Sequence, residues 1–221
     1  MDKIFRYESN LVECFQMNHS LLTHTLLITE MKIRWGNIDL VEINNTSLPF
    51  TTEQCKILSK PSCAKIFMRL KNKRPISKEK LFTGLGVSAS TFDKTISELL
   101  KVKLICKENN LYFRNISFVF PNVVITGYEA KLNDYNKALY QACINKEYVD
   151  YSYMVFPMDV ANNILKKHEK VIKSFNLGLI GVAQDAIKVF IRPKKNEPIK
   201  PYIRLMNLAL SYECTYTKKA T

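Results

Sequence analysis

The sequence predicts an α/β fold: a mixed sheet flanked by helices and interrupted by an inserted α+β segment. Two observations lead there. Strand-like and helix-like runs alternate after residue 120, which is the order of a mixed sheet with helices packed on it. The stretch before residue 50 is too short to bury a core alone, so it completes the same sheet from the other side of the middle segment.

Composition sets the outer limits. The chain has 221 residues, 47% hydrophobic and 24% charged, which suits an ordinary globular protein and excludes disordered and fibrous classes. Lys, Arg, Glu or Asn interrupts every apolar run before it reaches the roughly 18 to 20 residues that a membrane-spanning helix needs. The opening MDKIFRYESNLVEC has no apolar leader core and reads as mature protein. Cys14, Cys55, Cys63, Cys106, Cys143 and Cys214 are scattered, with no CxxC and no cluster among His19, His24 and His168. A disulfide scaffold and a zinc finger are therefore not expected; the cysteines read as reduced, mostly buried thiols of a cytoplasmic protein.

The elements follow in order. Glu8 to His19 forms an amphipathic helix with Leu11, Val12 and Phe15 on one face. Leu26–Ile33 and Ile38–Ile43 are extended, joined through Trp35-Gly36-Asn37 as a hairpin. From Thr52 to Lys71 the apolar spacing is helical and interrupted at Pro61, giving one bent helix or two short ones. Ser77 caps a short helix carrying Leu81 and Phe82, Gly84 and Gly86 turn the chain, and Ser88 caps a second helix facing inward with Phe92, Ile96, Leu99 and Leu100. Leu104-Ile105-Cys106 and Leu111-Tyr112-Phe113 are strands around the polar turn 107–110. After residue 120 come a strand in VVITGYEAKL, a helix in NDYNKALYQACINKEY and a strand in YSYMVF. A helix from Asp159 to Lys173, strands at Leu177–Val182 and Ala186–Ile191, and a helix from Pro201 to Tyr212 complete the chain.

Charge singles out the middle. Between Thr51 and Arg114 lie 14 basic and 5 acidic residues, so +9 of the net +13 is concentrated there. Such an excess suits a polyanion partner, although a Lys-rich solvated surface produces the same count. The segment resembles a winged helix-turn-helix domain over nearly all of residues 52–114, with Lys107 in the wing. That resemblance implies DNA contact through the outward face of the second helix, Ser90, Thr91, Lys94 and Ser97, supported by Lys101, Lys103 and Lys107. The helix has no Arg and its outward face includes Asp93, so sequence-independent contact is expected rather than strong base readout.

Three ionisable residues carry the chemistry. Asp39 lies on the strand after the hairpin, and Glu129 and Lys131 lie two apart at the end of an apolar strand, facing one side. Charges there are costly to bury without compensation, and a divalent cation held by Asp39 and Glu129 supplies it. Mg²⁺ takes oxygen ligands and often only one or two protein carboxylates.

Asp39 in Gly36-Asn37-Ile38-Asp39, the Glu129-Ala130-Lys131 strand and the ALYQA helix that follows resemble the PD-(D/E)xK nuclease superfamily, of restriction-endonuclease-like fold. The resemblance covers residues 1–50 and 115–221, leaving 51–114 as the insertion. It implies a Mg²⁺-dependent deoxyribonuclease, probed equally with Mn²⁺, in which Asp39 and Glu129 bind metal and Lys131 handles the attacking water. Gln141 on the following helix and Glu8 on the first helix assist, Glu8 as a further metal ligand. DNA is the implied partner, and a homodimer is the family's way of cutting both strands of a duplex. The alternative is a catalytically inactive nuclease fold kept for DNA binding or regulation, or an interaction subunit of a larger complex.

Overall fold

The computed structural model describes residues 5–19, 25–33, 36–44, 47–72 and 74–219. The chain divides into two compact units, one of Met1–Asn45 with Val123–Ile199 and one of Thr46–Asn122 with Lys200–Thr221.

The first unit is a six-stranded mixed sheet. Helix α1 (Glu8–Asn18) precedes the hairpin β1 (Thr25–Ile33) and β2 (Gly36–Asn44); β6 (Ile125–Ala130), α6 (Tyr135–Asn145), β7 (Tyr151–Pro157), α7 (Met158–Ser174), β8 (Gly178–Val182) and β9 (Ile187–Ile191) follow the second unit's insertion. Strand order is β1-β2-β6-β7-β8-β9. The inner pairs β6–β7 and β7–β8 are parallel, each bridged by a helix, and the outer pairs are antiparallel. Leu11 and Phe15 of α1 pack on one face with Leu40, Tyr128, Val155 and Ile180. On the other face Ala138 and Ala142 of α6 and Ala161, Ile164 and Ile172 of α7 cover Met154, Phe156 and Leu179. Small residues on α6 and in the sheet permit that close approach. At Gly178 an added Cβ would fall 2.0 Å from the Tyr153 ring, so only glycine fits under it.

The second unit contains α2 (Thr52–Leu58), α3 (Pro61–Arg69), the two-residue β3 (Ile76–Ser77), α4 (Lys78–Phe82), α5 (Ala89–Lys101), β4 (Ile105–Glu108), β5 (Leu111–Arg114) and α8 (Pro201–Lys219), with its own sheet in the order β3-β5-β4. Thr51 caps α2, Ser77 caps α4 and Ser88 caps α5, each hydroxyl accepting a backbone N–H of the first turn. Arg114 ties the unit together: its guanidinium donates to Phe67 O at 2.9 Å and Met68 O at 3.2 Å, satisfying carbonyls at the end of α3. This Arg is half-buried, and its guanidinium is engaged within the unit.

Several expectations are corrected. The unit boundaries fall near residues 46 and 122 rather than 51 and 114, and α8, expected in the first unit, packs on α2 and α3 of the second. The segment 52–71 is two short helices, since Pro61 starts α3 with no N–H to continue α2. Gly36 and Asn37, expected to turn the hairpin, already belong to β2; Trp35 lies outside the described residues. Lys107 and Glu108 are strand residues, and Asn109 and Asn110 alone make the turn with φ of 47° and 60°. On α5, Leu100 is only half-buried while Thr95 is buried, its hydroxyl donating to Thr91 O at 2.7 Å. Cys55 and Cys63 are buried, but Cys14, Cys106 and Cys143 are only partly so; none of these five forms a disulfide, and the side chain of Cys214 lies outside the described residues. No helix among the described residues is long and apolar enough to cross a membrane.

Candidate active site

Asp39 stands where the backbone ladder opens on both sides. The β1–β2 register runs to Thr29↔Leu40 and resumes at Met31↔Ile38, skipping Glu30, whose φ of 54° lies in the left-handed region. The β2–β6 register ends at Leu40↔Tyr128. In place of a backbone acceptor, Asp39 Oδ2 takes the Ala130 N–H at 2.8 Å. Asp150 does the same at the far end of β6, where its Oδ2 accepts from Ile125 N at 2.9 Å. Two aspartates thus finish the two ends of one strand. Glu30 opposes Asp39 and its carboxylate is drawn aside, accepting from Asn37 Nδ2 at 2.8 Å. Strained residues of this kind concentrate at functional sites.

Lys131 follows β6 directly, and its N–H donates to Val155 O at 3.0 Å. Its ammonium gathers the cluster: Nζ donates to Ala130 O at 2.8 Å and Glu129 Oε1 at 3.0 Å, and lies 3.3 Å from Glu8 Oε2 and 3.5 Å from Asp39 Oδ2. Glu129 Oε2 accepts from Asn145 Nδ2 on α6 at 3.2 Å. Side-chain exposure grades outward, from 0% at Glu129 and 4% at Lys131 to 21% at Asp39 and 48% at Glu8, so the cluster reaches solvent through Asp39 and Glu8.

Three carboxylates share one ammonium, which leaves two negative charges when all are ionised. The electrostatics record that imbalance. Burial and the neighbouring Asp39 carboxylate push Glu129 up to about 7, against the pull of Lys131 and Asn145. Burial opposes the charge on Lys131, but Glu129, Asp39 and Glu8 outweigh it and hold the ammonium above its ordinary value. In this arrangement Lys131 is held as an ammonium by the three carboxylates.

The donor set fits a hard cation. Asp39, Glu129 and the Ala130 carbonyl offer oxygen only, and the surplus of two negative charges matches a divalent ion. Among the described residues no group of three His, Cys, Asp or Glu side chains is placed to hold a metal ion. A divalent ion here would have only one or two carboxylate ligands and would keep several of its waters.

Of the residues singled out in the sequence, Asp39, Glu129, Lys131 and Glu8 are brought together. Gln141 makes no hydrogen bond to them, its Oε1 being buried without a partner; Asn145, one helical turn further along α6, donates to Glu129. The i+4 spacing from Gln141 was the signal for Asn145. Ser90, Thr91, Lys94, Lys101, Lys103 and Lys107 are all exposed, in the second unit. No protein-family model, curated protein or solved structure matches this chain.

Proposed function

We propose that the chain is a Mg²⁺-dependent DNA phosphodiesterase of restriction-endonuclease-like fold, with a winged helix-turn-helix as its second unit. One observation carries the reading: Asp39, Glu129 and Lys131, distant in sequence, meet at the end of β6 with a surplus of negative charge that this chain does not neutralise. A bound Mg²⁺ supplies Lewis acidity at a phosphoryl oxygen and lowers the pKa of a coordinated water. Asp39 and Glu129 hold it. Lys131 orients the attacking water by hydrogen bonding and steadies the charge that develops on the phosphate. Glu8, half exposed at the mouth, is placed to bind through water, and Asn145 fixes the Glu129 carboxylate.

The winged-helix reading is supported by the order α4, glycine turn, α5, β4–β5 hairpin, with Gly84 and Gly86 at φ of 72° and 67°. Part of the unit's positive charge is structural: Lys60 pairs with Glu98, Lys78 with Asp93, and Arg114 caps α3. Lys94, Lys101, Lys103 and Lys107 are exposed and supply affinity for phosphates that weakens with salt.

A second reading, a nuclease-like scaffold that binds DNA without cutting it, has one observation in its favour, since Lys131 already bridges all three carboxylates. Cleavage of labelled single-stranded and duplex DNA in Mg²⁺, Mn²⁺ or EDTA separates the two. The nuclease cuts with either metal and stops in EDTA, and Asp39→Asn and Lys131→Ala bind DNA without cutting. DNA shifted in a gel with no cleavage under any metal selects the scaffold.

A further inference from the structure

The second unit holds a concave basic site outside α5. Arg69, Lys71, Arg74 and Lys80, with Ile76 and Ser77, line a cavity of about 460 Å³, and no acidic residue is among its lining. Lys71 and Arg74 are partners in an isolated antiparallel bridge, so their side chains emerge directly opposite each other on one side of the turn. Like charges so placed repel and destabilise the turn unless something neutralises them. The base is fixed: Asn72 bridges Arg114 and donates to Ser117 Oγ at 2.9 Å, and Arg69 Nη2 donates to Lys80 O at 3.3 Å. Among the described residues the side chains of Lys71, Arg74 and Lys80 make no hydrogen bond or ion pair, although all three are exposed and free to turn toward the cavity.

We propose that this cleft binds the backbone phosphates of a DNA strand, an anchor additional to α5 and independent of the carboxylate cluster. Two guanidinium forks match phosphate oxygens in pairs, and a concave wall of one sign focuses the field on an anion. Protein partners are usually anchored by aromatic side chains and pockets that take them, and apart from Pro75 and Ile76 the lining is polar or basic, with no aromatic residue.

The test is fluorescence anisotropy of a labelled duplex titrated in EDTA, where no cleavage occurs, at several salt concentrations. Lys71→Ala with Arg74→Ala should raise Kd at least about tenfold near 0.1 M salt and flatten the log–log salt dependence by nearly two, roughly 0.9 for each phosphate no longer neutralised. Arg74→Glu should weaken binding further. Both variants should melt no lower than the wild type, because the replaced side chains are exposed and their mutual repulsion is removed. Affinity and slope unchanged in the double variant would overturn the proposal, as would absence of duplex binding by the wild type. Displacement of the duplex from the wild type by millimolar inorganic phosphate would overturn the strand reading in favour of a small-anion site, and binding of polyglutamate in place of DNA would overturn it in favour of an acidic protein. Because only binding is read, a chain that never cuts DNA leaves this result intact.

Discussion

Two carboxylates on opposite faces of the same sheet have opposite electrostatic fates. Glu42, on the α1 face, accepts from Tyr128 OH at 2.6 Å and contacts His19 Nε2 at 3.2 Å. Burial acts against its charge, yet the His19 and Tyr128 hydrogen bonds outweigh it and hold the carboxyl below its usual range. Glu129, one residue after Tyr128 and so on the other face, is surrounded by another carboxylate as well as by donors, and is pushed up. The difference is the company each keeps. A carboxylate ringed by donors is complete, whereas one beside a second carboxylate and sharing one ammonium keeps negative charge that a proton or a further cation can neutralise. That contrast separates a structural acid from a candidate ligand more sharply than burial, since both lie largely within the fold.

The largest effect should come from breaking the incomplete side. Glu129→Gln should slow cleavage on the order of a thousandfold, the several kcal/mol of charge stabilisation that a catalytic metal supplies, with DNA affinity in EDTA unchanged. Kinetics beside an anisotropy titration check both halves. The complementary change, Glu42→Gln, should leave cleavage within a few-fold and cost about 1–3 kcal/mol of stability, because it weakens charged hydrogen bonds to Tyr128 and His19. Urea unfolding measures it.

The Glu42 contribution also has a defined pH window. Its folded pKa lies below the unfolded value of 4.5, so the stability it adds is full above 4.5 and lost as pH falls through the folded value. Wild type should therefore lose more stability than Glu42→Gln on acidification below about 4.5, and equal losses would contradict the assignment. A smaller effect sharpens the other side: Mn²⁺ at ten times its Kd should stabilise the wild type by about 1.4 kcal/mol, a shift of a few degrees in melting, and Glu129→Gln should show none of it. Least affected should be Gln141→Ala, which removes a side chain that makes no hydrogen bond to the cluster, whereas Asn145→Ala should slow cleavage about tenfold by freeing the Glu129 carboxylate.

The strands of the first unit were legible because their apolar runs are short, β-branched and bounded by Gly, Asn and Pro, and Glu129 and Lys131 were legible because period-two spacing fixes their common face. Asp39 was findable by pattern, but its bond to Ala130 N was not, since it depends on where two ladders stop. Asn145 was not singled out although it shares a face of α6 with Gln141, because only packing decides which side chain hydrogen-bonds Glu129. The placement of α8 was misjudged because an amphipathic helix shows that it docks, not on what. The charge count located the basic segment, yet not the Lys71–Arg74 bridge that makes part of it a cleft.

The most direct test of the contrast is nicking of supercoiled plasmid in Mg²⁺ by the wild type, Glu129→Gln and Glu42→Gln side by side, each with an EDTA control. The account predicts metal-dependent nicking by the wild type and Glu42→Gln, and none by Glu129→Gln. Nicking by Glu129→Gln at the wild-type rate, or a wild type that never nicks while binding DNA, would contradict it.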